Sequence, residues 1–136
     1  MRKQVLCQGA VLACVLALAT PGLAQDPGIG KLLVAKRGAP DPVFGRTVIL
    51  LVRYQRDGTL GVILNRPTEI PVASALRGVK GAEPRDEPVY AGGPVETRTA
   101  LALLHANVMP EEGVAHVHGK VYVLTTKGSL EKNLAS

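Results

Sequence analysis

His116 and His118 are the side chains with the widest chemical range in this sequence of 136 residues. They stand two apart inside Val114 to Leu124, whose alternation reads as one or two strands. On a strand that spacing puts both imidazoles on one face. Glu111 or Glu112 would then complete a metal site, as a metal-dependent hydrolase needs. No third ligand stands at a diagnostic spacing, so an exposed strand beside a turn is the default expectation, and no metal is assigned. His105 closes the apolar run Thr99 to Ala106, and we expect it partly buried and hydrogen-bonded. From residue 25 onward the serines are Ser74, Ser129 and Ser136, none in G-x-S-x-G or S-x-x-K. No catalytic residue is assigned. The absence of G-x-G-x-x-G and G-x-x-x-x-G-K-[ST] leaves no phosphate cradle, and no cofactor is expected.

Two further groups point to binding. Gly92-Gly93-Pro94 is a diglycine at a strand end, which serves either a tight turn with positive φ or a backbone brought close to a ligand. Arg46, Arg53, Arg56 and Arg66 flank a predicted hairpin. Arg46 stands across a turn from Asp41, where an ion pair is the default. Arg66 follows Asn65 where a buried strand ends, the usual place for a recognition residue.

The elements that must position these residues form an α+β pattern with a largely antiparallel sheet. Gly30 to Lys36 reads as a short strand, followed by the turn Ala39-Pro40-Asp41-Pro42. Thr47 to Tyr54 is the strongest strand, and its continuous apolar run Val48 to Val52 predicts burial on both faces. Leu60 to Leu64 follows, with Asp57-Gly58 at the centre of the intervening turn, so the two runs form a hairpin. Asn65-Arg66-Pro67 ends the second strand. Pro71 to Leu76 predicts a short helix, Val79 to Glu87 a loop, and Val89 to Ala91 a short strand. Thr99 to Ala106 fits helix or strand. Ser129 is the predicted N-cap of a helix from Leu130 to Ala135.

Ahead of these elements lies an address. Met1-Arg2-Lys3 is basic, Ala10 to Ala19 is an apolar run, and Gly22-Leu23-Ala24 places small residues before Gln25. These are the three regions of a secretory signal peptide cut after Ala24, and the run is about half the roughly 20 residues a bilayer span needs. Residues 25–136 are then one domain, exported to the periplasm or beyond, with no stable membrane span. Both cysteines, Cys7 and Cys14, fall in the signal, so no disulfide or thiolate site is expected afterwards. The whole chain carries 16 Lys and Arg against 11 Asp and Glu, and losing Arg2 and Lys3 leaves a net charge of +3. With one Phe and three Tyr, that is too little charge and stacking surface for nucleic acid.

Taken in order, four blocks resemble the YqgE/AlgH family of bacterial proteins. Gly30-Lys31-Leu32-Leu33-Val34-Ala35 resembles its opening G-x-[FL]-L-[IV]-A. Asp41-Pro42-Val43-Phe44, with Arg46 to Leu51, resembles D-P-x-F-x-[RK]-[TS]-V-[IV]-L-L. Gly58 to Thr68 resembles G-[AS]-[LM]-G-[LV]-[IV]-[LI]-N-[RK]-P, and Tyr90 to Val95 the G-G-P-V signature. The resemblance covers residues 30 to about 135. It implies a single α+β domain whose sheet curls into a barrel-like core, and it carries over no catalytic residue. Members are mostly cytosolic and labelled transcriptional regulators. They also continue into a closing segment, G-Y-A-G-W-x-x-x-Q-L-E, that is not present here, so the chain is expected to be a truncated reading.

The leading expectation is a non-enzymatic binding or accessory protein of the cell envelope, with an unknown protein or small molecule as partner. Its recognition surface would gather Asp41, Phe44, Arg46, Asn65, Arg66, Gly92, Gly93 and Pro94, the ends of the motif blocks. A cytosolic transcription-associated regulator is the alternative.

Overall fold

The computed structural model describes residues 26–110 and 113–135. The signal-peptide reading and the proposed ligands Glu111 and Glu112 therefore lie outside the described residues, as does Ser136. Eight strands and two helices follow in order. They are β1 (Leu32–Val34), β2 (Val48–Gln55), β3 (Gly58–Ile63), β4 (Pro67–Pro71), α1 (Val72–Ala75), β5 (Pro88–Tyr90), β6 (Ala102–His105), β7 (Val114–His118), β8 (Val121–Leu124) and α2 (Lys127–Leu134).

Every strand pair is antiparallel, and the strands fall into three sheets, in the orders β1-β2-β3, β4-β5 and β6-β8-β7. The described strands do not close into a barrel, so the expected curl is not made by these residues. The largely antiparallel α+β class holds. β2 is central as expected: Leu50 and Leu51 are consecutive, point to opposite faces, and are both buried. Leu50 and Val52 meet Val117 and Val123, which joins the first sheet to the third in one apolar core. A second core packs Leu130 of α2 and Val79 and Ala82 of the loop after α1 against Leu124 of β8.

The hairpin is present, but its turn sits one residue earlier than expected. Gln55 pairs with Gly58, so Arg56 and Asp57 occupy the turn and Gly58 opens β3 with φ +156°. A bulge between Leu51 and Arg53 absorbs the resulting shift. At α2 the N-cap is Thr126, not Ser129. Thr126 Oγ1 accepts from Ser129 N–H at 3.1 Å while the Ser129 hydroxyl reaches back to Thr126, a reciprocal capping box. β4 was not foreseen, because two prolines in five residues argue against a strand. It survives as one member of a two-stranded ribbon whose few pairings, Pro67 with Tyr90 and Pro71 with Pro88, suit residues without an N–H.

Candidate functional site

Asp41 begins the site. Its Oδ1 accepts the backbone N–H groups of Val43 and Phe44, both at 2.7 Å. Those two donors hold the carboxyl below its ordinary range, with a smaller contribution from the nearby Arg66 guanidinium. The Asp41 carbonyl also accepts from Gly45 N–H at 2.9 Å. Residue 45 must be glycine for this turn to close, since a Cβ there would stand 2.5 Å from the Asp41 oxygen. The expected Asp41–Arg46 ion pair does not form among the described residues. One carboxylate oxygen, Oδ1, serves the backbone of its own turn, and Arg46 is exposed.

Arg46 follows with φ 59°, a left-handed conformation that costs a non-glycine residue about 1 kcal/mol. Asn65, at the end of β3, fixes it. Asn65 Nδ2 donates to the Arg46 carbonyl at 2.8 Å, and Asn65 Oδ1 accepts from Val48 N–H at 2.9 Å. One side-chain amide therefore pins both sides of the entry to β2. Thr47 between them is buried, and its hydroxyl donates to the Phe44 carbonyl at 2.7 Å. Arg66 reaches the Gly45 carbonyl through Nη2, a long contact of 3.4 Å.

The diglycine joins the same place through the backbone. Ile63 N–H donates to the Gly92 carbonyl and Ala91 N–H to the Arg66 carbonyl, each at 2.8 Å. Gly92 lies flat on β3, where a Cβ would come within 3.3 Å of Val62. Gly93 carries φ +155° with open space around it, and Pro94 is exposed. The hydrogen bonds thus bring the predicted residues into one neighbourhood at the β1–β2 turn, the end of β3 and the exit of β5. Asn65 spends both polar atoms of its side chain internally, and Asp41 spends Oδ1. Phe44, 42% exposed, and Arg46, also exposed, turn outward, while Arg66 is half-buried. Sequence reasoning missed Gly45 and Thr47. The glycine between an aromatic and an arginine was the available signal for the first, and a lone Thr at a strand entry offered none for the second.

The histidines do not converge. A bulge in β7 sets His116 across from Tyr122 and His118 across from Val121, successive residues of β8 that face opposite ways. His116 shares a hydrogen bond with the Gly119 carbonyl at 2.9 Å and lies 5.3 Å from the Tyr122 ring centre. His118 packs by Gly30 instead. His105 is exposed, not partly buried. Among the described residues no group of three His, Cys, Asp or Glu could hold a metal ion. Ser74 is exposed on α1, and Ser129 is buried in the capping box.

The fold and this strand-end neighbourhood can be set beside known proteins. The DUF179 family model, described as AlgH-like, matches residues 32–136. A UPF0301 protein of Mycolicibacterium smegmatis is 37% identical over 99 residues, which make up 70% of this chain and 49% of that one. A UPF0301 protein of Chlorobaculum tepidum is 42% identical over 74 residues, 54% of this chain and 38% of its own. The chain thus spans about half the length, or less, of these relatives. The solution structure of the AlgH protein from Pseudomonas aeruginosa superposes with a TM-score of 0.63 at 24% identity, covering 82% of this chain and 61% of that one. The crystal structure of a Corynebacterium diphtheriae protein gives 0.65 at 19% identity, with 80% and 59% covered. At those identities the structural likeness speaks for the fold alone.

Proposed function

The chain belongs to the AlgH-like family, and on that premise we propose that it is a binding or accessory protein of the bacterial cell envelope rather than an enzyme. Arg46 is the observation that carries the binding half of this reading. Glycine would adopt φ 59° without steric cost, yet an arginine stands there, exposed, two residues from an exposed Phe44. Strain held in place by the amide of Asn65 is better explained by a need for the side chain than by a need of the turn. An exposed aromatic beside an exposed guanidinium, on a loop anchored by a buried strand, is a common recognition pair. The envelope half rests on the basic start, apolar run and small residues at 22 and 24. The partner is a protein or small molecule outside the cytosol. A barrel-like closure of the sheets, which the family resemblance implies, remains part of the same proposal.

The test places a photo-reactive amino acid at Phe44 in the full chain, in its own host. The expected result is a discrete covalent adduct in the envelope fraction, on a chain whose mass begins at Gln25. Adding Arg46→Gly should abolish the adduct while the melting temperature stays level or rises. An uncut chain crosslinked only in the cytosol would overturn the envelope reading and favour the regulator. An adduct unaffected by Arg46→Gly would remove Arg46 from the site.

A further inference from the structure

We propose that Arg46 and Arg66 together bind the carboxylate of a small aromatic monocarboxylic acid whose ring rests on Phe44. The inference deepens the reading of this surface as a recognition site and rests on it. Arg66 is the residue that extends it. Its Nη2 reaches the Gly45 carbonyl at 3.4 Å, which by standard peptide geometry places that nitrogen about 6 Å or less from the Arg46 Cα. That is well within the length of an arginine side chain, so both guanidiniums can close on one group. Among the described residues neither is committed elsewhere. The Arg46 guanidinium makes no hydrogen bond or ion pair there, and Arg66 spends a single donor, on that long contact. Arg66 is nonetheless half-buried. Its charge is partly removed from water while most of its N–H groups lack a protein acceptor, and an oxyanion supplies what is missing.

Charge, shape and the neighbouring ring select the ligand. The Arg66 guanidinium lies near enough to Asp41 to draw its carboxyl down, so two cations here face one anion. A single negative charge balances them. A phosphate monoester, at about −1.5 to −2 near neutral pH, would set excess negative charge against Asp41. A planar carboxylate also matches the guanidinium fork, which takes two oxygens in parallel. Phe44 provides the apolar contact. It is 42% exposed, and its N–H is held by Asp41 Oδ1 at 2.7 Å, so its backbone is already fixed beside the two arginines. An aromatic body on the ligand gains from packing against that ring. The footprint is three side chains on one turn and one strand end, far below the ~800 Å² a side of a stable protein interface, which favours a small acid over a protein partner.

The test is a nuclear magnetic resonance titration of the isotope-labelled full chain, purified from its own host, with phenylacetate, its neutral isostere phenylacetamide, acetate and phenyl phosphate. Phenylacetate should move the Phe44 and Arg46 amide signals and the Arg66 Nε signal saturably. Acetate should bind roughly two- to tenfold more weakly for want of the ring. Phenylacetamide, without the charge, should not saturate, and phenyl phosphate should bind no more tightly than phenylacetate. Arg66→Gln should weaken phenylacetate roughly tenfold, and Arg66→Lys, which keeps the charge and loses the fork, by less. Phenylacetamide binding as tightly as phenylacetate overturns the clamp, as does unchanged affinity in an Arg66→Gln variant with native circular dichroism. Tighter binding of phenyl phosphate overturns the monocarboxylate. Should Arg66→Gln fail to fold, the probe comparison in the parent chain decides alone. The crosslinking experiment at Phe44 separates the two readings. An adduct that depends on Arg46, from a chain that binds none of the four probes, keeps the recognition surface and refutes the carboxylate. Saturable phenylacetate binding weakened by Arg66→Gln, with no adduct in the host, keeps the carboxylate site and refutes the envelope binding protein.

Discussion

Replacing Asn65 with alanine removes two hydrogen bonds, of 2.8 and 2.9 Å, from a point where chain segments 17 and 19 residues apart in sequence are tied together. Each such bond is worth about 0.5–1.5 kcal/mol net. Asn65 is exposed, so water can replace part of what is lost, and relaxation of Arg46 from its left-handed conformation returns some of the rest. The balance is a loss of about 1.5 kcal/mol. For a domain of roughly 110 residues, with an unfolding entropy near 2.1 cal/mol/K per residue, that lowers the melting temperature by about 6 °C. Calorimetry gives the first number, and amide exchange locates it: the Val48 N–H should lose protection selectively. Asn65→Asp keeps the acceptor for Val48 but turns an anionic oxygen toward the Arg46 carbonyl. It should therefore be no more stable than the alanine variant at neutral pH. A melting temperature within 1 °C of the parent, with Val48 still protected, would refute the structural role and return Asn65 to the pool of ligand-binding groups.

Other perturbations probe the scaffold and the turn. Leu124→Ala empties part of the core between β8 and α2, where Leu124 is 2% exposed, and should cost about 2–5 kcal/mol by denaturant unfolding. Thr126→Ala should cost about 1 kcal/mol by removing the N-cap of α2, with Ser129→Ala weakening the same box from its other side. The Asp41 carboxyl titrates below its ordinary range because it accepts two backbone N–H groups. Its contribution to stability is therefore complete above the unfolded value and is lost as pH falls through the lower folded one. Nuclear magnetic resonance should show the Val43 and Phe44 amide signals moving together in that acid window. Asp41→Asn, which keeps an acceptor without the charge, should abolish the movement and hold the turn.

Much of the scaffold was legible because it is local. The run Val48 to Val52 could be buried on both faces only as a central strand, and the turn at Arg56-Asp57-Gly58 could join only neighbouring antiparallel strands. Where reading failed locally, geometry chose between near-equal options. The turn sits one residue earlier, with a strand bulge absorbing the shift, and Thr126 took the cap because Ser129 serves as its reciprocal partner three residues on. The site residues were legible as positions and not as roles. Motif blocks ending at strand termini marked where Asp41, Arg46, Asn65 and Gly92 would stand, whereas the atoms each of them touches depend on how distant segments meet.

That division has a physical cause. Hydrophobic periodicity and turn chemistry act over a few residues, so composition and order alone determined the α+β class and the β2–β3 hairpin. The register of one sheet against another is decided by packing among residues far apart in sequence. Only the tertiary structure showed that Asn65 is a lock on Arg46, that Asp41 serves its own turn, and that a bulge at Val117 sends His116 and His118 to opposite faces. A polar side chain near a strand end looks the same in sequence whether it satisfies a backbone group or waits for a partner. The difference lies in which N–H or carbonyl the fold leaves unpaired within about 3 Å of it.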